Sequence, residues 1–211
     1  IMMIPWYIFA IGAALFFTAQ ELLMRVLAIK SNIPRVFSVV FNAWGALFAI
    51  IAFILQRGSF TEIFQLSGTN IVLILMAIVL FGLYERYQFI ARKGIDAASY
   101  SIITRLGTVI AFVGSIIFLQ ESLTFAKIAG MALVVGASVL LVYKNAKLKF
   151  TPALWYAFFC ATLLGAAMTI DKPASAHVQP ALYSFIVWCI PIGIIEVAII
   201  NKPKKTGDST L

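Results

Sequence analysis

Charge is scarce in this chain. Only 11% of its 211 residues are Asp, Glu, Lys or Arg, while 63% are hydrophobic; an ordinary soluble domain holds about 25% charged and roughly 45–50% apolar residues. A water-soluble core of this size cannot hide that much apolar surface. Histidine is nearly absent, with His177 alone, and the two cysteines, Cys160 and Cys189, stand too far apart for a local metal motif. No metal site or cofactor is expected. A phosphate-binding Walker loop is missing, and Gly136-Ala137-Ser138 lacks the remainder of a nucleophile elbow. Val178 to Ile200 contains no lysine for a retinal Schiff base. These gaps argue against an enzyme, an ATP-driven pump and a light sensor. A seven-helix signalling receptor fits less well than the repeat described below.

What is present is a series of long apolar blocks: Ile4–Met24, Val36–Gln56, Ile71–Ala91, Ala97–Gln120, Phe125–Tyr143, Pro152–Ile170 and Val178–Ile200. Each has the length a helix needs to cross ~30 Å of hydrocarbon at ~1.5 Å per residue. None alternates apolar and polar residues as a barrel strand would. The expectation is an all-α integral membrane protein of about seven transmembrane helices with short connections. The first block has no basic leader and no small-residue cleavage pattern, so it reads as a helix rather than a secretory signal. The chain starts at Ile1, not at methionine.

Twelve of the sixteen Lys and Arg residues fall at alternate connections: Arg25, Lys30 and Arg35; Arg86, Arg92 and Lys93; Lys144, Lys147 and Lys149; Lys202, Lys204 and Lys205. By the positive-inside rule this end is cytoplasmic, with the tail inside and the N-terminus outside. The net charge of +8 is scattered over membrane edges rather than gathered in a stripe, so it reads as anchoring to anionic lipid, not as nucleic-acid binding. Trp6, Tyr7, Tyr87, Tyr143, Trp155 and Tyr156 fit interfacial anchors.

An internal repeat is the most informative pattern. Trp6-Tyr7 opens the first block and Pro34, Phe37 and Ser38 the second; Trp155-Tyr156 opens the sixth and Pro180, Tyr183 and Ser184 the seventh. A unit of five helices is odd, so its successor enters the membrane upside down, which is the inverted-repeat pattern of secondary transporters. The stretch from Ser101 to Val142, with Glu121-Ser122-Leu123-Thr124 followed by Gly130 and Gly136, resembles the fourth and fifth helices of an EamA-type repeat in the drug/metabolite transporter superfamily. The resemblance divides the chain into residues 1–148, a complete five-helix repeat, and 149–211, the first two helices of an inverted second repeat with a basic tail. It implies ten helices in all and movement of a small organic metabolite or drug-like solute by alternating access, in a membrane such as the bacterial inner membrane. Arg105 stands where the family usually has proline, and many members keep both termini in the cytoplasm. With seven helices here, three more follow or a partner supplies them. A non-transporting accessory subunit or scaffold is the alternative.

Ionisable groups inside the blocks are the leading site candidates, because a charge at the bilayer centre is costly. Glu85 and Arg105 lie about ten residues either side of the Gly94-Ile95-Asp96 turn, so antiparallel neighbours would bring them to one depth as a pair. Glu21 and Arg25, spaced i,i+4, suit a surface pair near the headgroups. Gln20, Asn42, Trp44, Tyr84 and Tyr100 add polar or aromatic groups suited to a solute pocket, and Glu196 sits in the seventh block. Small residues four apart, Ala126/Gly130, Ala132/Gly136 and Gly107/Ala111/Ser115, allow close helix contact. Packing within the chain is the plain reading of these rows, and a homodimer seam or a second membrane subunit is the sharper one.

Overall fold

The computed structural model describes residues 6–30, 34–145 and 151–193. The chain is all-helical there: α1 (Trp6–Lys30), α2 (Pro34–Leu55), α3 (Gly68–Gly94), α4 (Ala97–Leu119), α5 (Phe125–Asn145), α6 (Pro152–Ser175) and α7 (Pro180–Pro191), with a short 3-10 helix at Phe60–Gln65 between α2 and α3. Five of them, α1 to α4 and α6, contain apolar stretches long enough to span a membrane; α5 and the described part of α7 give shorter ones.

Local chemistry sets these boundaries. Ser67 accepts a hydrogen bond from the Asn70 N–H at the start of α3, and Asp96 accepts one from the Ser99 N–H at 2.9 Å at the start of α4. Pro34, Pro152 and Pro180 each stand first in their helix, where a missing N–H costs nothing. α4 ends where Gln120 turns left-handed at φ 51°, its N–H bonding back to the Ser115 carbonyl. α1 and α3 outrun the apolar blocks that announce them, reaching Lys30 and Gly94. Arg25, Arg86 and Arg92, read from the sequence as loop cations, therefore ride on helices.

The arrangement departs from chain order. α6 inserts between α3 and α4, which touch each other little; α7 packs on α2 and α3, and α1 leans on α3. Glycine permits the insertion. A Cβ at Gly165 would lie 2.6 Å from the Gly107 carbonyl oxygen, and one at Gly107 would lie 2.9 Å from the Ala161 carbonyl oxygen. Thr169 packs likewise against Gly114, its hydroxyl tied to the Gly165 carbonyl at 2.9 Å. Small-residue contact thus operates between α4 and α6. On α5 it does not: Gly130 and Gly136 have nothing within 4 Å of a would-be Cβ, so these rows do not pack within the chain among the described residues.

Buried clusters follow the wedge. Ala91, Tyr100, Ile103, Leu154, Ala157 and Ala161 join α3, α4 and α6 at the basic end, and Ile74, Ile78, Ala174, Leu182 and Ile186 join α3, α6 and α7 at the other. Met24, Ala28 and Phe89 join α1 to α3, with Phe37 and Phe41 of α2 against them. The outer surface is apolar instead of charged, with Phe16, Leu55 and Phe118 exposed, as lipid contact demands.

Candidate functional site

Polar side chains inside the bundle gather on one face of α3. Glu85, Gln88 and Arg92 recur at i, i+3 and i+7 and are all buried, Arg92 to 3% exposure. From α2, the Asn42 amide reaches the Glu85 carboxylate at 3.4 Å, and the Ser38 hydroxyl donates to the Glu85 carbonyl at 2.6 Å. The Gln88 amide donates to the same carboxylate. Its carbonyl oxygen accepts from Arg92 Nε at 3.3 Å and Nη2 at 3.1 Å. Arg92 then grips Glu21 of α1 with both ends of its fork, at 2.6 and 2.9 Å. A continuous polar chain therefore crosses from α2 through α3 to α1, in a buried part of the bundle where an unpaired charge is expensive.

The chain ends in a cavity of about 120 Å³ lined by Thr18, Glu21, Leu22 and Arg25 of α1, Arg92 of α3, and Tyr100, Ser101 and Arg105 of α4. The Arg92 guanidinium lies 4.5 Å over the Tyr100 ring. Arg25 donates to the Arg92 carbonyl at 3.1 Å and to the Ile95 carbonyl, occupying acceptors at the end of α3. The Tyr100 hydroxyl is buried without a hydrogen-bond partner.

Two pairings inferred from spacing are replaced. Glu85 and Arg105 do not pair: α6 separates their helices, Glu85 joins Asn42 and Gln88, and Arg105 is exposed at the cavity. Glu21 bonds Arg92 rather than Arg25, because α3 lies alongside α1 and offers a bidentate partner. Of the other candidates, Asn42, Tyr100 and Glu21 belong to the network or its cavity. Tyr84 packs instead with Cys160 and Leu163. Gln20 is half-buried and does not line the cavity, and Trp44 faces outward with 58% exposure against Phe48. Glu196 lies outside the described residues. Gln88, Arg92 and Ser38 were missed; the i, i+3, i+7 spacing of Glu85, Gln88 and Arg92 was the available signal.

Length, apolarity and helix order describe a multi-pass membrane protein, and a family model decides its kind: the EamA-like transporter family matches residues 4–143. The chain belongs to that family. No curated protein sequence matches it. The EamA-like match covers α1 to α5 nearly whole, so α1, α3 and α4, which build the cavity, all lie inside the matched region. The EamA family is one of membrane transporters in the drug/metabolite transporter superfamily, not of enzymes. Among the described residues no group of three His, Cys, Asp or Glu could hold a metal.

At the opposite end from the cavity, the Glu121-Ser122-Leu123-Thr124 turn has a defined role. Glu121 binds Lys127 of α5 at 2.8 Å and also Lys172 of α6, so its carboxylate joins the α4–α5 turn to the wedge helix. Those two ammonium groups hold its pKa down at about 2. Glu62 accepts from the Gln179 N–H at 2.9 Å, just before α7.

Proposed function

We propose that this EamA-like chain is a secondary transporter, or the larger part of one, that moves a small organic solute by alternating access through the α1–α3–α4 cavity. The observation that carries the reading is the polar chain from Asn42 through Glu85, Gln88 and Arg92 to Glu21. Such a chain is costly inside an apolar bundle, and groups of this kind in membranes commonly mark a solute or ion path. Glu85 and Glu21 are the candidate coupling groups, with Arg105, Tyr100 and Asn42 candidates for solute contact.

The inverted repeat enters as part of this proposal. A two-fold exchanging the first and second units maps α1 on α6 and α2 on α7, so the observed α2–α7 contact maps onto itself and is compatible with such a symmetry. It also carries the α3–α6 and α4–α6 contacts onto α1, predicting that two further helices close over α1. A second copy or another membrane subunit is the other occupant of the uncovered faces. The uncovered Gly130 and Gly136 of α5 favour that reading. The cation bias supports a cytoplasmic basic tail, and placement in a bacterial inner membrane is part of the same proposal.

The test is flux. Proteoliposomes holding the protein, loaded and challenged with a broad set of radiolabelled organic solutes, should show saturable counterflow without ATP. Glu85→Gln and Glu21→Gln should each reduce it at least tenfold while leaving the helical circular dichroism unchanged. No flux for any solute, together with stable co-purification of another membrane protein, would favour the accessory subunit.

A further inference from the structure

We infer that the α1–α3–α4 cavity binds an anionic group, a carboxylate or a phosphate, with Arg105 and Tyr100 as its donors. Three guanidinium groups, Arg25, Arg92 and Arg105, line this cavity against the single carboxylate of Glu21. Two of the three are committed. Arg25 serves the carbonyls of Arg92 and Ile95. Arg92 serves both oxygens of Glu21 and the Gln88 carbonyl. Arg105 forms no ion pair among the described residues. It sits eight residues into α4, about 12 Å along the helix, with its side chain exposed at the cavity and its guanidinium open to a ligand.

Tyr100 supplies a second, independent sign. It is 2% exposed, it lines the same cavity, and its hydroxyl has no partner, a state that buried hydroxyls seldom keep. An anion in the cavity would take a forked pair of bonds from the Arg105 guanidinium, and the Tyr100 hydroxyl, closed to solvent without a ligand, would turn toward it to give one more. A cation would be repelled by the three arginines, and Glu21 is already engaged on both oxygens. A neutral solute would leave Arg105 without a counter-charge. The size also fits: an apolar cavity of ~150 Å³ holds benzene, so one of about 120 Å³ holds a carboxylate or phosphate with a few further atoms.

The assignment rests on the cavity being the solute site only for its role in transport; the binding itself is separately measurable. Thermal unfolding of the full chain in non-ionic detergent would be followed at fixed ionic strength with inorganic phosphate or glutarate. A parallel arm would use nanodiscs of phosphatidylcholine with and without phosphatidylglycerol. The expected result is stabilisation by at least one of these anions, with the apparent Kd weakened at least about tenfold, ~1.4 kcal/mol, in both Arg105→Gln and Tyr100→Phe. Arg57→Gln, at the other end of the protein, should respond as wild type. Should Arg105→Gln fail to fold, Arg105→Lys keeps the charge but loses the fork, and weaker binding is still expected.

Response to phosphate or glutarate assigns the group to a soluble acid. Response to phosphatidylglycerol alone assigns it to a lipid headgroup. Equal stabilisation of wild type and Arg105→Gln, or no stabilisation by any anion, overturns the inference. Saturable flux of a neutral or cationic solute without anion binding would overturn this inference and leave the transporter reading intact. Anion binding without any flux would do the reverse.

Discussion

α1 and α6 open with the same Trp-Tyr pair, yet the protein treats them in opposite ways. In α6, 44% of the spanning stretch is buried, against 11% in α1. α6 lies in a slot whose walls, α3 and α4, approach it through Gly107 and Gly165, while α1 rests on α3 and leaves most of its circumference open. The difference is not one of sequence character, because both are apolar membrane-length helices. Packing partners make it. The stable part of the molecule is the α3–α6–α4 sandwich, and the polar groups suited to solute work sit where α1 meets that sandwich from outside. Rigid scaffold and less constrained wall is a division that alternating access can use.

The largest expected effect breaks the sandwich. Gly165→Val places a branched side chain against the Gly107 carbonyl and Ile110, and the backbone cannot yield there as a flexible side chain would. A loss of about 3 kcal/mol, the upper end for overpacking, is expected in a reversible unfolding assay. Gly12→Val on α1 meets nothing within 4 Å and should leave folding unchanged within ~0.5 kcal/mol. Equal losses in the two variants would dissolve the contrast between the helices.

Next comes the bridge that ties α1 to the scaffold, and its two ends are unequal. The Arg92 side chain is 4% exposed and the Glu21 side chain 41%. Removing the carboxylate strands a buried guanidinium, whereas removing the guanidinium leaves a carboxylate that still reaches the cavity. Breaking a fully buried pair costs about 3–5 kcal/mol; with one end half-open, Glu21→Gln should cost about 2 kcal/mol and Arg92→Gln about 1 kcal/mol. The two changes together should cost less than their sum. The reverse order in thermal unfolding would mean that Glu21, not Arg92, is the poorly hydrated end.

The smallest effect concerns the far end of α6. Glu121, held at about pKa 2 by Lys127 and Lys172, starts from an ordinary value of 4.5. A lowered carboxyl pKa adds stability that is present above pH 4.5 and lost as pH falls toward 2. The group is partly exposed, with partners that are more so, so the change should be modest and weakened by salt. Carboxyl NMR titration should find Glu121 near 2 in the wild type and closer to 4.5 in the Lys127→Ala, Lys172→Ala double variant. An unchanged titration would show that neither lysine holds it.

The sequence disclosed the helices well and their neighbours poorly. Among the described residues every apolar block holds a helix, and the starts of α4, α5 and α6 coincide with the block starts, because helix length and capping are local properties. Which helices touch is not local. The Glu85–Arg105 pair was inferred from two helices consecutive in the chain, and α6, some 50 residues later, occupies the space between them. Arg92 was counted with the connection because it stands next to Lys93 and Gly94, where apolarity fades; only the position of α1 reveals that it is buried. Gly107 was recognised as a contact residue, while the facing row on α6, Ala157, Ala161, Gly165 and Thr169 at four-residue spacing, was not singled out. Glu21, Asn42, Tyr100 and Arg105, which the structure places in the polar network or its cavity, were singled out by the rule that polar groups inside membranes need a reason.

The most direct test concerns the two faces of α1. In a variant with Cys160 and Cys189 replaced by alanine, single cysteines would be placed at Thr18 and Ser101, which line the cavity, and at Phe16, which is 79% exposed and outside it. Their reaction with a charged, membrane-impermeant thiol reagent would be measured in vesicles of both orientations. A water-filled solute cavity requires the cysteines at 18 and 101 to react from the side bearing the α1–α2 connection, at least about tenfold faster than the one at 16, which faces lipid. Equal, slow labelling at all three positions would show that the cavity is closed to water and would contradict a solute path beside α1.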